Sequence, residues 1–122
     1  MGDSDGLSAL MHSNLLEIFG QRDAARRKEA MHRTYSEDIA LTDPEGTVHG
    51  YDAIDQQAQS ILDKAPNEFV LAPDGPLYVL GDASAALPWA FGPVGGPAVA
   101  RGVDVATIAD GRITSILTLL AP

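Results

Sequence analysis

The sequence contains no cysteine among its 122 residues. That excludes disulfide bonds, a thiolate nucleophile and a zinc site built on thiolates, and it is typical of a cytoplasmic protein. Basic residues are also few, since 8 lysines and arginines stand against 17 aspartates and glutamates, for a net charge of −9. A surface of this sign would repel nucleic acid and anionic membranes, so we expect neither as a partner. No apolar run approaches the roughly 18 residues of a membrane-spanning helix, and the acidic residues 1–5 do not resemble a secretory signal.

Histidine is scarce as well. None of the three histidines has another histidine or a carboxylate at the spacing of metal ligands. The glycine-rich stretch 92–97 does not match a nucleotide-binding motif and is typical of a hairpin loop. We therefore expect no metal and no cofactor.

Apolar residues at three- and four-residue spacing predict helices over 4–20, 24–35 and 52–63. Asp23 is expected to cap the second helix, and Gly20 is expected to end the first. The second helix region is rich in basic residues: Arg22, Arg26, Arg27, Lys28 and Arg33. We interpret them as a solvated helix face, with an anion site as the alternative.

A short strand is predicted at 39–42, ended by the proline-containing turn 43–46. After residue 67, short apolar runs separated by glycine and proline predict five more strands: 68–72, 76–80, 83–91, 98–108 and 112–120. Asp110-Gly111 is a strong signal for a tight hairpin between the last two. Consecutive strands with short connections are expected to pair antiparallel, and Pro88 is expected to mark a bulge or an edge.

Helices first and strands afterwards predict one α+β domain over residues 1–122. Three helices with one apolar stripe each cannot cover both faces of such a sheet. A strongly curved sheet could wrap around the helices and leave an apolar hollow inside. Its uncovered outer face would then suit a homodimer.

Asp104 is a carboxylate in the middle of an apolar strand. Its side of the strand also carries Gly102 and Ala100, and such small residues leave room for a ligand. Burial in an apolar hollow raises the pKa of a carboxyl group, which can then donate a proton at neutral pH. The alternative is that Asp104 faces solvent or pairs with Arg101 or Arg112.

The expected pocket wall comes from several predicted elements. Leu87, Trp89 and Phe91 alternate on one strand face, where the indole could stack on a flat apolar ligand or simply pack in the core. The other expected pocket residues are Asn14 and Leu15 on the first helix, Met31 and Tyr35 on the second, and Ile116 and Thr118 on the last strand.

Four parts of the sequence, in order along the chain, resemble SnoaL-like and ketosteroid-isomerase-like proteins. Residues 23–27 with 35–38 resemble the second helix and the first strand of those proteins, and residues 41–46 with 50–54 resemble the strand, the loop and the third helix. Residues 87–91 resemble the central strand, and residues 102–105 with 110–113 resemble the last hairpin. These proteins belong to the nuclear-transport-factor-2-like superfamily. The resemblance covers residues 7–120 and implies its cone-shaped, cystatin-like fold, in which a curved antiparallel sheet wraps around three helices.

The resemblance also implies roles for two carboxylates. Asp104 matches the proton-donating aspartate of the ketosteroid isomerases, and Asp43 matches their general base. The alternative for Asp43 is ordinary turn chemistry, because aspartate before proline favours a turn. Those isomerases also place a tyrosine on the first helix to stabilise the oxyanion, and here that position falls on Leu15. Asn14 could substitute only if the helix is rotated.

These observations predict a cofactor-free isomerase or cyclase acting on a small apolar carbonyl compound. One alternative is a non-catalytic domain that binds small ligands or dimerises. Another is an epoxide-opening hydrolase, which would need Arg101 between two aspartates. A regular strand puts Arg101 and Asp104 on opposite faces, so that alternative requires a bulge at Gly102.

Overall fold

The computed structural model of the chain describes residues 2–122, with side chains from residue 5 onward. Its helical elements are α1 (Gly2–His12), a π-helical segment that continues it (Ser13–Phe19), α2 (Ala24–Thr34) and α3 (Tyr51–Asp63). The Asp23 side chain accepts hydrogen bonds from the backbone nitrogens of Ala25 and Arg26, which confirms its predicted role as the cap of α2. The predicted helices are therefore present, and the first ends in wider π-helical turns.

Seven strands follow or interrupt the helices: β1 (Tyr35–Asp43), β2 (Gly46–His49), β3 (Phe69–Pro73), β4 (Tyr78–Leu80), β5 (Ser84–Pro93), β6 (Ala100–Ala109) and β7 (Arg112–Leu120). They form one curved sheet in the order β2-β1-β7-β6-β5-β3, with β4 also paired to β5. This arrangement confirms the predicted α+β fold. The short strand β2, which pairs with β1 across the turn at 43–46, was not among the predicted strands.

Strand pairing departs from the prediction at two places. β1 and β7 run parallel, whereas the other pairs are antiparallel. The prediction that consecutive strands pair is wrong for β3 and β4, because both pair with β5, at 89–93 and 84–86 respectively. Pro88 lies between these two pairings, where its missing N–H breaks no ladder. Its carbonyl instead accepts a hydrogen bond of 2.9 Å from the backbone nitrogen of Asp74.

The core lies between the helices and the concave face of the sheet. Inward-facing residues alternate along β5 and β6, as the period of a strand requires. The convex face carries an apolar patch, in which Leu117 and Leu119 are exposed and Val103 and Val105 are half-buried. Within residues 2–122, no helix is long and apolar enough to cross a membrane.

The prediction of a solvated basic face is wrong for Arg27, whose side chain is 0% exposed. Its Nε donates to Asp55 at 2.8 Å, and its other nitrogens donate to the side chain of Gln59 and the carbonyl of Gln21. Arg22 likewise donates to backbone carbonyls, among them that of Leu62 at 3.2 Å. These residues join α2 to α3 and to the chain after it, so the basic region helps to hold the helices together.

Candidate active site

An apolar cavity of about 250 Å³ opens between the π-helical segment, α3 and one end of the sheet. Aromatic rings on its wall come from Phe19, Trp89 and Phe91. Its polar lining residues are few: Asp43, Glu45, Gln57, Asp104 and Thr118. A hollow of this size with a small number of polar groups is suited to a small, largely apolar ligand.

Asp104 projects into this hollow from β6 and is 7% exposed. Its Oδ1 accepts hydrogen bonds from Trp89 Nε1 at 3.1 Å and from Thr118 Oγ1 at 2.9 Å. Its Oδ2 accepts one from Asn14 Nδ2 at 3.1 Å. Burial raises the pKa of the Asp104 carboxyl, and the hydrogen bonds from Thr118, Trp89 and Asn14 oppose that rise. Asp104 is therefore a desolvated carboxyl group held by neutral donors.

Arg101 lies on the opposite face of β6 from Asp104. It is exposed and pairs with Asp74 at 3.1 Å. The pairing of β5 with β6 is regular through Gly102, so there is no bulge to turn the guanidinium inward. Arg101 therefore does not lie between two aspartates, as an epoxide-opening hydrolase would require.

Gly102 provides space for Trp89. The two residues face each other across β5 and β6, and a Cβ atom on Gly102 would lie 2.5 Å from Cζ2 of the indole. The room expected beside Asp104 for a ligand is therefore filled at this position by the Trp89 ring. Ala100, two residues earlier on the same face, does line the cavity.

The π-helical segment places both Asn14 and Leu15 inside the molecule, where each is buried. Its hydrogen bonds span five residues, as from the nitrogen of Gly20 to the carbonyl of Leu15 at 2.9 Å. More residues then share each turn than in an α-helix, so two neighbours can face inward together. Leu15 lines the cavity, while Asn14 reaches Asp104.

Tyr35 stands behind Asn14. Its hydroxyl donates to Asn14 Oδ1 at 2.5 Å, and its ring is fully buried. Burial, followed by the nearby Asp104 carboxylate, raises the pKa of Tyr35 well above its ordinary value. The phenol therefore remains a neutral donor at physiological pH. Tyr35, Asn14 and Asp104 form a continuous hydrogen-bonded chain ending at the cavity.

Asp43 lies at the mouth of the same cavity. Its Oδ1 accepts from the backbone nitrogen of Glu45 at 2.9 Å, the contact expected of a turn-forming aspartate. Its Oδ2 accepts from Gln57 Nε2 at 2.6 Å. Sequence reasoning missed Gln57, although the residue falls three positions after Ile54 on the apolar stripe of α3. A polar residue on such a stripe is the signal that could have identified it.

The structure brings together some of the residues expected in the pocket. Leu15, Trp89, Phe91 and Thr118 line the cavity together with Asp43 and Asp104. Asn14 and Tyr35 form the hydrogen-bonded layer behind Asp104. The remaining three are packed in the core away from the cavity wall: Met31, Leu87 and Ile116.

A larger, more open cleft of about 630 Å³ lies at the other end of the β6–β7 hairpin. Its charged lining residues are Glu17, Arg33, Asp82 and Asp110, and all four are exposed. A desolvated charged group in a cleft is typical of an active site, and none of these four charges is desolvated. We therefore take the smaller cavity as the candidate active site. Among the side chains described, those of residues 5–122, no three from histidine, aspartate or glutamate are grouped to hold a metal ion.

Several solved structures share this fold. A proposed isomerase of the SnoaL-like family from Agrobacterium tumefaciens strain C58 is 20% identical, with 97% of this chain and 99% of that chain covered and a TM-score of 0.85. A cystatin-like protein of unknown function from Methylobium petroleophilum is 14% identical, with 97% and 77% covered and a TM-score of 0.75. A proposed polyketide cyclase from Sinorhizobium meliloti is 21% identical, with 90% and 93% covered and a TM-score of 0.69.

No curated protein matches the sequence. The family model of the SnoaL-like domain, in contrast, matches residues 12–116. This match includes the π-helical segment, α2, α3 and six complete strands, and it extends into β7. The chain belongs to the SnoaL-like domain family.

Proposed function

We propose that the chain is a cofactor-free isomerase or cyclase that moves a proton on a small apolar carbonyl compound. The observation that supports this most directly is a desolvated carboxyl group, Asp104, facing an apolar cavity that carries a second carboxyl group, Asp43. Proton transfer next to a carbonyl needs a positioned acid or base, and a desolvated carboxyl group is suited to that task. Two solved structures that share this fold are a proposed isomerase of the SnoaL-like family and a proposed polyketide cyclase, which supports such chemistry.

In this proposal Asp104 first accepts the proton and later returns it. The hydrogen bonds from Asn14, Trp89 and Thr118 stabilise its ionised form. This differs from the resemblance-based expectation, in which Asp104 acts as the acid. Asp43 is the second carboxylate of the cavity. The Gln57 amide has two N–H bonds; one donates to Asp43, and the other is the proposed donor to the substrate oxygen.

The alternative is a domain that binds small ligands without catalysis. It is favoured by the two hydrogen bonds that already occupy Asp43 and by the aliphatic side chain of Leu15 where related isomerases carry a tyrosine. Ligand binding must therefore be measured separately from turnover.

The single tryptophan provides the binding assay. Trp89 lines the cavity, so a small enone or phenol that enters should quench its fluorescence saturably. We would titrate such compounds into wild type and Asp104→Asn at pH 5 and pH 8. Saturable quenching of both proteins would establish an open pocket. A complete lack of quenching would contradict a ligand site beside Trp89.

Turnover is tested on β,γ-unsaturated ketones, whose isomerisation yields a conjugated product that absorbs in the ultraviolet. Asp104→Asn should lower kcat by about 10²- to 10⁴-fold, the contribution of a general acid–base group, while ligand binding persists. Asp38→Asn, on the exposed part of β1, is the matched control and should be unaffected. Equal rates for Asp104→Asn and wild type would reject the enzymatic proposal and leave the binding domain.

We also propose that two copies associate through the convex face of the sheet. Support comes from the exposed Leu117 and Leu119 beside the half-buried Val103 and Val105. Apolar side chains grouped in this way are typical of an interaction surface. The cytoplasmic location expected from the sequence stays a prediction.

A further inference from the structure

We propose that Tyr35 and Asn14 form a hydrogen-bond relay to Asp104 in which the direction of each hydrogen bond, the polarity of the relay, is fixed. The relay leaves one lone pair open on Oδ2 of Asp104. At that lone pair the carboxyl group exchanges its proton. The relay consists of the Tyr35 hydroxyl, the Asn14 amide and the Asp104 carboxyl group. This inference rests on the proposed function for the reaction itself. The polarity and its effect on Asp104 can be measured without any substrate.

The direction of the hydrogen bonds in the relay follows from the Tyr35 hydroxyl, which has a single proton to donate. This hydroxyl is buried, and among the described residues the acceptor it reaches is Asn14 Oδ1. If the Asn14 amide were flipped, the hydroxyl proton would lose that acceptor, which is unfavourable for a buried group. The amide oxygen is thereby held toward Tyr35, so the NH₂ group must face Asp104. Asn14 thus serves as a donor to Asp104.

The open position on Asp104 follows from counting acceptors. A carboxylate has about four acceptor positions, two on each oxygen. Oδ1 receives both Trp89 Nε1 and Thr118 Oγ1, whereas Oδ2 receives only Asn14 Nδ2. One position on Oδ2 therefore remains. Asp104 lines the cavity, and we assign this remaining position to a molecule bound there.

The proposed proton transfer needs one atom of the protein, Oδ2 of Asp104, which takes up the proton and later returns it. The C–H bond next to the substrate carbonyl breaks, its electron pair forms the carbon–carbon double bond of an enolate, and the carbonyl π pair moves to oxygen. The proton bonds to Oδ2 of Asp104. In an isomerisation, the same proton returns to a carbon farther along the conjugated system, and the carboxylate is restored. Asn14 remains a donor throughout, so the relay does not have to reorganise.

Other ionisable groups around Asp104 are few. Tyr35 faces it through Asn14, from the start of β1. Asp43 and Glu45 share the cavity, and no lysine, arginine or histidine is among the residues that line it. The π-helical segment, β5 and β7 contribute neutral donors only, namely Asn14, Trp89 and Thr118. Asn14 is thus one of three neutral donors that favour the ionised carboxyl group, with Thr118 and Trp89.

Carboxyl ¹³C NMR of aspartate-labelled protein, together with the ¹⁵N–¹H signal of the single indole, would follow the titration of Asp104. In Tyr35→Phe the Asn14 amide is no longer held, so we expect the Asp104 midpoint to rise by about one pH unit, a tenfold change in proton affinity. Asn14→Leu should raise it at least as much. The matched control is Tyr51→Phe, which removes a hydroxyl that donates to the Tyr35 backbone carbonyl outside the relay. It should leave the midpoint unchanged.

The double variant distinguishes a relay from a general structural effect. If Tyr35 acts through Asn14, then Tyr35→Phe should have no further effect in the Asn14→Leu background. An equal shift in both backgrounds, or no shift in Tyr35→Phe alone, would overturn the inference.

A measurement on wild type covers the case in which a variant fails to fold. The Asn14 side-chain NH₂ signals should titrate with the same midpoint as Asp104, because that group donates to Oδ2. NH₂ signals that are constant across the Asp104 titration would also refute the relay. If the NMR results hold and Asp104→Asn leaves turnover unchanged, the relay stands and the proposed enzymatic function fails. If the protein is active, the pH profile of kcat/KM in Tyr35→Phe should move with the NMR midpoint.

Discussion

The indole of Trp89 occupies the space that a side chain on Gly102 would need. The closest ring atom lies 2.5 Å from the position of a Cβ on Gly102, and the backbone oxygen of Leu119 also crowds that position. With the ring seated against the bare backbone of β6, Nε1 reaches Asp104 at 3.1 Å. A residue with no side chain thus determines where a hydrogen-bond donor of the site is held.

We predict that Gly102→Ala disturbs the pairing of β6 with β7 at the Leu119 carbonyl, displaces the indole and breaks its hydrogen bond to Asp104. Overpacking of this kind should lower the free energy of unfolding by about 1–3 kcal/mol. It should also change the emission maximum of Trp89. Urea unfolding followed by fluorescence measures both effects. Gly6→Ala is a suitable control, because nothing lies within 4 Å of its Cβ position and alanine favours a helix. A Gly102→Ala protein as stable as wild type would contradict the packing described here.

Stability should depend on pH through Asp104. Burial raises its pKa in the folded state. The contribution of this group to stability is therefore full below its unfolded pKa of about 3.9 and is lost as pH rises through the folded value. Relative to wild type, Asp104→Asn should gain stability as pH increases across this interval, by about 1.4 kcal/mol for each pH unit between the two pKa values.

Urea unfolding of both proteins at several values between pH 4 and pH 8 measures this difference. The introduced amide accepts poorly from the three donors around position 104, but this loss of stability is independent of pH. The change of the stability difference with pH therefore still reports the titration of Asp104. A difference that stays constant, or that changes in the opposite direction, would contradict a raised pKa for Asp104.

Removing one partner of the buried ion pair between α2 and α3 should cost far more unfolding free energy than removing one partner of the exposed pair. Asp55→Ala leaves the fully buried Arg27 without its carboxylate and should cost about 3 kcal/mol of unfolding free energy. Glu17→Ala removes the partner of Arg33, where both side chains are more than half exposed, and should cost less than about 1 kcal/mol. Chemical denaturation of both variants makes the comparison. Similar losses would mean that Arg27 finds other acceptors.

If two copies associate through the convex face, a charge there should separate them. Leu117→Asp places a carboxylate in the apolar part of β7 and should convert a dimer into monomers at micromolar concentration. Leu80→Asp is the control, since Leu80 is exposed on β4 and lies outside the proposed interface. Sedimentation velocity measures the masses. A monomeric wild type would reject the interface directly.

The sequence was informative where a simple period governed the structure. The alternation along β6 was enough to predict that Asp104 faces inward and Arg101 faces outward. Spacing along the first helix also contained the signal for Asn14, which lies three residues after Met11 and four before Ile18. Its proximity to Asp104 could not be read from that spacing, because it depends on a π-helical turn and on a contact 90 residues away along the chain.

Long-range packing also decided the features that were predicted wrongly. Arginine is usually found on the surface, and Arg27 is buried only because α3 packs against it. The pairing of β3 and β4 with the same strand depends on the length of β5 and on Pro88 between the two contacts. Short connections alone favoured a different arrangement.

The position of β7 between β1 and β6 also affects how the protein can fold during synthesis. Strands β1 and β2 of the N-terminal half are joined to the central strands of the sheet through this late element. A ribosome-bound chain that ends before residue 112 would hold two parts of a sheet with no strand to connect them. The cavity, with Thr118 in its wall, is complete only after that strand has emerged. Until then the unpaired strand edges are open to aggregation.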